Sequence, residues 1–500
     1  MPLDRPPLID WYRRNRARSR ALFDLVDDEA YYTKPIALRH PIVFYEGHLP
    51  AFSFNTLVKK ALGGASIDGR LETLFARGID PHETAGPKET VADAAWPTRE
   101  VVHQFAEEAD HQVLRALANA DVDRPGDALL DRGEAVFAIL EHEAMHQETL
   151  LYMWHRLPLA RKRRPAGYSP RTNGAPPRHE WIEIPAGRAT LGVDRAAVPF
   201  GWDNEFSALT CDVPAFAIDQ HDVTSQQFLE FVDAGGYRDQ QWWRPEDWEW
   251  VQREQVTHPL FWEVHDDDWF WRGMFALVPL PAAWPVYVSN AEARAYARWR
   301  GGRLPTEAEF QRAAFGSPDG ERLHPWGCET PSAVHGVFDF SSWDPEPAGT
   351  HPKGNSAWNV HDLVGNGWEW TTTTVPGISS HGVVSRILSG LLRRRARRDE
   401  GRVARDRARA AASHVPQLVS PTVPIRICHF PLRHGPPPQP PKLGSSPTTS
   451  RTTWRCHRVS CPRSTSTTRS GRRCSRRSAS SRGTASRAQS SGSSSVIAAS

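Results

Sequence analysis

Between Glu134 and Leu157 the chain runs for 24 residues without Gly or Pro. A stretch that long, free of backbone breakers, exceeds any ordinary strand and reads as a helix of roughly six turns. It carries Leu140-Glu-His142-Glu-Ala-Met-His146-Gln-Glu148. His142 and His146 are four apart, about one helical turn, so their rings can converge on one ion. Ile139, Met145, Leu150 and Met153 are read as sharing their face, which turns both imidazoles inward. Two imidazoles buried side by side leave polar nitrogens unsatisfied unless something binds them. In a chain with 21 His, one such pair arises by chance about once. A hydrogen-bonded core pair and a solvated face therefore remain as competing readings.

Three further helical stretches precede this one. Asp10 is expected to cap a helix ending near Val26. His40-Pro41 starts the second, with Pro in the first turn, where its missing N–H costs nothing. The third is expected from Thr98 to Ala120 and the fourth from Asp131 to Leu157. Together they predict an all-α four-helix bundle over residues 8–159. A metal site inside it needs a ligand from a facing helix. His48, two turns into the second helix, is the candidate, against the reading of a polar residue at a helix end near Pro50. Glu148 lies roughly 200° around from His146 and is expected to stand behind the site or at the surface. Three neutral imidazoles leave a divalent charge uncompensated and coordination positions open, which suits catalysis better than a closed structural site. Zn(II) and Fe(II) are not separated by ligand softness here.

Residues 160–178, with Arg161-Lys-Arg-Arg-Pro165 and Pro176-Pro177, read as a linker. From 179 to 375 the texture becomes short strands and short helices, an α+β domain. Thr224/Gln227, Ser289/Glu292 and Thr306/Glu309 are capping boxes, and each helix then meets Gly: Gly235-Gly236, Gly301-Gly302 and Gly316. Trp242, Trp243, Trp248, Trp250, Trp262, Trp269 and Trp271 fit core packing of an irregular domain, or else a recognition surface.

Composition divides the chain more sharply still. Residues 376–500 hold 24 Lys+Arg against 3 Asp+Glu, leaving 37 against 55 for residues 1–375. Nineteen of the 20 Trp and all 9 Tyr lie in the first part. The body is acidic, so net charge gives it no nucleic-acid role. The tail is expected to be disordered, with at most nonspecific phosphate affinity. Only Cys211 and Cys328 lie in the body, too few for a disulfide framework. With no signal peptide and no apolar run of membrane-spanning length, a cytoplasmic protein is expected.

His48 with His142-x-x-x-His146-Gln-Glu, on a helical domain, resembles the DinB-like domain of nonheme iron sulfoxide synthases. The second domain is similar to formylglycine-generating-enzyme (sulfatase-modifying-factor) modules, which are C-type-lectin-like. The matching stretches include Gly302-Arg-Leu-Pro-Thr-Glu-Ala-Glu-Phe310 and Asn359-Val-His-Asp-Leu-Val-Gly-Asn-Gly-Trp-Glu-Trp370. This resemblance implies Fe(II) held by His48, His142 and His146, with O2 as co-substrate. The reaction it implies joins a thiol (γ-glutamylcysteine or cysteine) to the imidazole ring of a histidine derivative, giving a sulfoxide. Arg39-His-Pro-Ile-Val-Phe-Tyr-Glu-Gly-His48 looks more like the ovothiol branch, whereas His146-Gln-Glu-Thr looks more like the ergothioneine branch. A DinB-like thiol transferase needing no O2, and a non-catalytic binding module, stand as alternatives.

After Trp370 the family pattern would continue with a Tyr-rich segment and further strands that supply a catalytic Tyr and substrate contacts. None is visible, so no catalytic side chain beyond the ligands is assigned. Degenerate codons for Val383 onward, read from the second base, permit Ser-Tyr-Pro-Glu-Tyr-Ser-Arg-Asp-Phe-Phe-Asp-Gly. The same shift at Val423–Phe430 permits Tyr-Pro-Tyr-Val-Ser-Ala-Thr-Phe. The expectation is a reading-frame shift between about Thr371 and His381, with a truncated second domain and poor solubility.

Overall fold

The computed structural model describes residues 3–37, 39–76, 96–202, 205–339, 341–372 and 428–429. Helix α1 spans Arg5–Asp24, α2 Ile42–Ser53, α3 Gly69–Leu74, α4 Arg99–Asn119 and α5 Glu134–Arg156. Helices α2, α4 and α5 lie in the stretches expected to be helical, but α1 starts earlier than the Asp10 cap predicts. Asp4 occupies its N-cap and Pro sits in its first positions, where a missing N–H costs nothing. Asp10 instead lies inside α1 and pairs with Arg13. Thr98 caps α4 as expected, accepting from the Val101 N–H. Helix α2 does not stop at Pro50 but runs on into a wider π-type turn over Phe54–Ala61.

Helix α2 packs on α4 and α5, and α1 packs on α5 and α4. Among these helices lies a buried polar network. Arg16 Nε donates to Asp110 at 2.7 Å and Arg16 Nη1 to Glu143 at 2.9 Å. Tyr12 donates to Asp110 at 2.8 Å and Ser19 to Glu143 at 2.7 Å. Gln147 donates to the Asn15 carbonyl and to Ser19. Breaking a buried charge network by removing one partner strands the others in low dielectric, at about 3–5 kcal/mol. Arg16→Ala is therefore expected to lower unfolding stability by that amount in urea titrations. A loss below about 1 kcal/mol would mean that Asp110 and Glu143 find water or other donors.

The second half holds four small antiparallel sheets among the described residues. Strands β1 (Trp181–Ile184) and β4 (Phe216–Asp219) pair in register Trp181↔Asp219. Strands β2 (Gly187–Leu191) and β3 (Leu209–Val213) form the second sheet. After α6 (Ser225–Asp233) and α7 (Pro245–Arg253) come β5 (Trp262–His265), β6 (Asp268–Arg272) and β7 (Leu277–Pro279), which form the third. Then follow α8 (Asn290–Trp299), α9 (Glu307–Phe315) and the pair β8 (Gly316–Ser317) and β9 (Gly320–Glu321). All three expected capping boxes form in both directions, at α6, α8 and α9. Gly235 and Gly301 take left-handed backbone after their helices, whereas Gly316 is extended and leads straight into β8.

The Trp-rich stretch is divided between core and rim. Trp243, Trp262 and Trp271 are buried, and Trp242, Trp248, Trp250 and Trp269 pack partly buried against the same core. That core is continuous with Phe23, Trp154 and Leu157 of the helical half. Segment 160–178 is mostly exposed, but Lys162 and Tyr168 are buried and Val26 bridges to Lys162. In the tail, Cys428–His429 form β10 and pair with β4, so order at these two residues departs from the expected disorder. The rest of the tail, and residues 373–381 of the interval of the expected frame shift, lie outside the described residues. Among the described residues no helix is long and apolar enough to cross a membrane.

Candidate metal centre

His48, His142 and His146 come together. Their ligand-capable atoms all lie within 4.8 Å of one another, and each residue is at most 7% exposed. Ring centroids are 5.1 Å apart for His48–His142, 5.0 Å for His48–His146 and 4.4 Å for His142–His146. Helix α5 supplies two rings through its i,i+4 repeat, and α2 supplies the third from the facing side.

The orientation of His48 is set from outside the two helices. Asp68 accepts from the Arg70 and Leu71 N–H groups and so starts α3. The next residue after α3, Phe75, presents its carbonyl to His48 Nδ1 at 2.7 Å. A carbonyl only accepts, so Nδ1 carries the proton and Nε2 keeps its lone pair. Phe75 reaches this place because α2 carries Gly47: a Cβ there would stand 2.3 Å from the Phe75 ring. Phe52 stacks on His142 at 3.5 Å and Phe44 on His48 at 5.0 Å.

His48 Nε2, His142 Nδ1 and His146 Nδ1 are buried with no hydrogen-bond partner. Burial pushes His48 down to about 4 and holds His142 and His146 well below the usual imidazole range, with the neighbouring rings adding to the effect at His142 and His146. All three are therefore neutral lone-pair donors. Three nitrogens sharing one ion at about 2.1 Å stand about 3–3.4 Å apart, so small side-chain rotations close this cluster on a cation. Orphaned nitrogens, neutral donors and a carbonyl fixing the tautomer all fit a divalent metal ion.

Two expectations about α5 are revised. Met145 is 36% exposed and does not share the buried face, because it lies about 100° from His146 around the helix. Of the two places expected for Glu148, the surface is excluded: it is buried and accepts the Trp368 indole N–H. Burial holds its carboxyl well above the usual range. Trp368 belongs to Gly365-Asn-Gly-Trp-Glu-Trp370, whose other residues brace the second domain. Asn366 exchanges two hydrogen bonds with the Glu346 backbone, and the Trp370 indole donates to the Val288 carbonyl. A second seam joins the halves farther along α5, where His155 donates to the Arg272 carbonyl and Arg272 donates back to the His155 carbonyl.

The helical half matches the family model of the DinB superfamily over residues 12–150. The second half matches the sulfatase-modifying factor enzyme 1-like domain over residues 168–411. That match runs past residue 375, the expected domain end, into residues outside the described set. Hercynine oxygenase of Mycobacterium tuberculosis is 40% identical over 187 residues, 37% of this chain and 43% of that protein. Ergothioneine biosynthesis protein 1 of Neurospora crassa is 26% identical over 347 residues, 61% of this chain and 38% of that protein. Formylglycine-generating enzyme of M. tuberculosis is 30% identical over 245 residues, 39% of this chain and 74% of that protein. The chain spans about half the length of the hercynine oxygenases it matches. Through its second half the chain belongs to the formylglycine-generating-enzyme (sulfatase-modifying-factor) family, and with a DinB domain ahead of that half it is similar to the hercynine oxygenases and to ergothioneine biosynthesis protein 1.

Proposed function

We propose that the chain is an iron(II)- and O2-dependent sulfoxide synthase. It joins a cysteine-type thiol, γ-glutamylcysteine or cysteine, to the imidazole ring of a histidine derivative, as in ergothioneine biosynthesis. The observation that carries this reading is the buried three-imidazole cluster, whose unpartnered nitrogens are otherwise a cost without a return. The named activities of the mycobacterial and fungal relatives support the substrate class. On this reading the four long helices form a DinB-type four-helix bundle, and His48, His142 and His146 are the ligands.

What Fe(II) supplies at such a site is vacant coordination room and a redox couple suited to O2. The protein's own part follows from the contacts. Phe75 keeps the His48 lone pair turned toward the other two rings. Phe44 and Phe52 wall the cluster with apolar surface, which lowers the local dielectric and strengthens attraction for an anionic thiol. None of the three donors is a carboxylate: Glu143 is turned to Arg16 and Ser19, and Glu148 to Trp368. The site thus leaves charge compensation to its substrates.

The test is O2 consumption by Fe(II)-loaded chain given histidine betaine and γ-glutamylcysteine, beside His142→Ala and a chain with the reading frame restored near Thr371–His381. O2 uptake that needs both substrates and is lost in His142→Ala is expected, at least in the restored-frame chain. Thiol turnover without O2 would favour the transferase. No turnover in either frame would leave only a binding module.

A further inference from the structure

Helix α2 carries Phe44, His48 and Phe52 at four-residue steps, so the three rings follow one another along one side of the helix. Phe44 lies on His48 with 5.0 Å between ring centroids and 20° between the planes. Phe52, half-buried, reaches across to α5 and lies on His142 at 3.5 Å and 9°. Carbon atoms touch at about 3.5–4.0 Å, so these two rings are in contact and stand almost squarely one above the other. Among the described residues His146 carries no such plate; Tyr45 stands 6.0 Å from it, tilted by 53°.

A square sandwich is the arrangement that two neutral aromatic rings avoid, because their electron-rich faces repel. Such rings prefer offset or edge-on contact, with centroids about 4.5–7 Å apart. The sign changes when one ring is electron-poor. An imidazole that gives its lone pair to a divalent ion takes up part of the positive charge, and a phenyl face attracts positive charge. The Phe52–His142 geometry is therefore unfavourable with a neutral imidazole and favourable with a ligated one. A second close stack also has a cation beside its phenyl ring. His155 lies on Phe261 at 3.8 Å and 11°, and the Arg272 guanidinium stands over the Phe261 ring at 5.2 Å.

We propose that Phe52 is a positioning residue for the metal centre. Its ring fixes the plane of His142 and, as an electron-rich plate behind that imidazole, favours the ion-bound state of the cluster. This rests on the three histidines being ligands, as read under Proposed function, and on none of the O2 or thiol chemistry. The effect follows the charge of the ion, so Fe(II) and Zn(II) feel it alike.

Fluorinated phenylalanines at position 52 provide the test, because fluorine drains electron density from the face of the ring while keeping its shape. The full chain, with increasing ring fluorination at that position, would be titrated anaerobically with Fe(II) and with Zn(II). Affinity for both ions is expected to fall stepwise, by about 3- to 30-fold over the series, the span of a contact between a cation and a desolvated aromatic face. The same series at position 261 is the control. It alters a comparably close stack outside the histidine cluster and should leave both affinities unchanged. A Phe52 that only fills space predicts a flat series, and a flat series at position 52 overturns the proposal while leaving the ligand assignment intact. Equal losses at positions 52 and 261 also overturn it, since the effect would then not pass through His142. An unaltered chain that takes up neither ion overturns the ligand reading itself.

Discussion

His142→Ala and His48→Ala will each abolish stoichiometric uptake of a divalent ion, weakening affinity by at least about 100-fold, the upper end of what even an outer hydrogen-bond partner of a ligand is worth. Among the described residues no carboxylate joins the three-histidine cluster, and Glu143 and Glu148 already accept from Arg16, Ser19 and Trp368. The remaining pair would be two neutral nitrogens offering no charge compensation. Anaerobic titration with Fe(II), and in parallel with Zn(II), measures the loss directly. Thermal unfolding gives an independent readout. At a hundredfold excess over Kd, a bound ion stabilises the native state by about 2.7 kcal/mol. For a domain of this size that corresponds to roughly 5–10 °C in Tm. Both variants should lose this metal-dependent increment. The control is His103→Ala: that ring is half exposed and contacts Glu46, and its removal should leave uptake unchanged. An ion bound with unaltered affinity in His48→Ala would show that α2 contributes no ligand.

How much of this centre could be read before the fold was known depended on how far apart its parts lie in sequence. His142 and His146 announce themselves because helical period makes i and i+4 neighbours. His48 could be chosen because it lies on a second helix that needs a partner face. The Phe75 carbonyl that sets its tautomer left no trace, since 27 residues separate the two and every residue has a carbonyl. Trp368 and Glu148 are 220 residues apart, and no periodic pattern links them. Gly47 carried a faint signal, a glycine inside a helix, whose reason is the Phe75 ring lying against it. The capping boxes at α6, α8 and α9 were fully legible because their chemistry is local. Met145 was misplaced for the opposite reason. An apolar side chain next to two buried histidines suggests core, but only the packing of neighbours decides which edge of the helix stays open. Segment 160–178 reads as a linker because its charge and Pro content are local facts, whereas the burial of Lys162 and Tyr168 within it depends on residues far away in sequence, such as Asp344, which accepts from the Tyr168 hydroxyl.

Lys162→Met will make the chain more stable at neutral pH, by a margin that vanishes as pH climbs. Lys162 is 8% exposed, and its Nζ meets no hydrogen-bond partner. Burial, reinforced by the Arg272 charge, pulls the amine from 10.5 down to about 7; Asp344 opposes this. Asp344 is itself engaged by the Tyr168 hydroxyl at 2.6 Å and by the Met274 N–H at 3.3 Å. Between about 7 and 10.5 the unfolded chain holds a proton that the folded chain does not, so native stability rises with pH across that window. The penalty is complete below about 7 and gone above 10.5, a swing on the order of 5 kcal/mol. Methionine keeps the stem's packing and removes the charge, so it escapes the penalty at every pH. Urea midpoints of both proteins at pH 6.5, 8.5 and 10.5 test this, because subtracting them cancels every group the two share. A difference that stays constant with pH would mean that the amine keeps its proton in the folded chain. The seam beside His155 would then have to hold a full positive charge next to Arg272, and the unpaired Nζ would have to reach a water or an anion there.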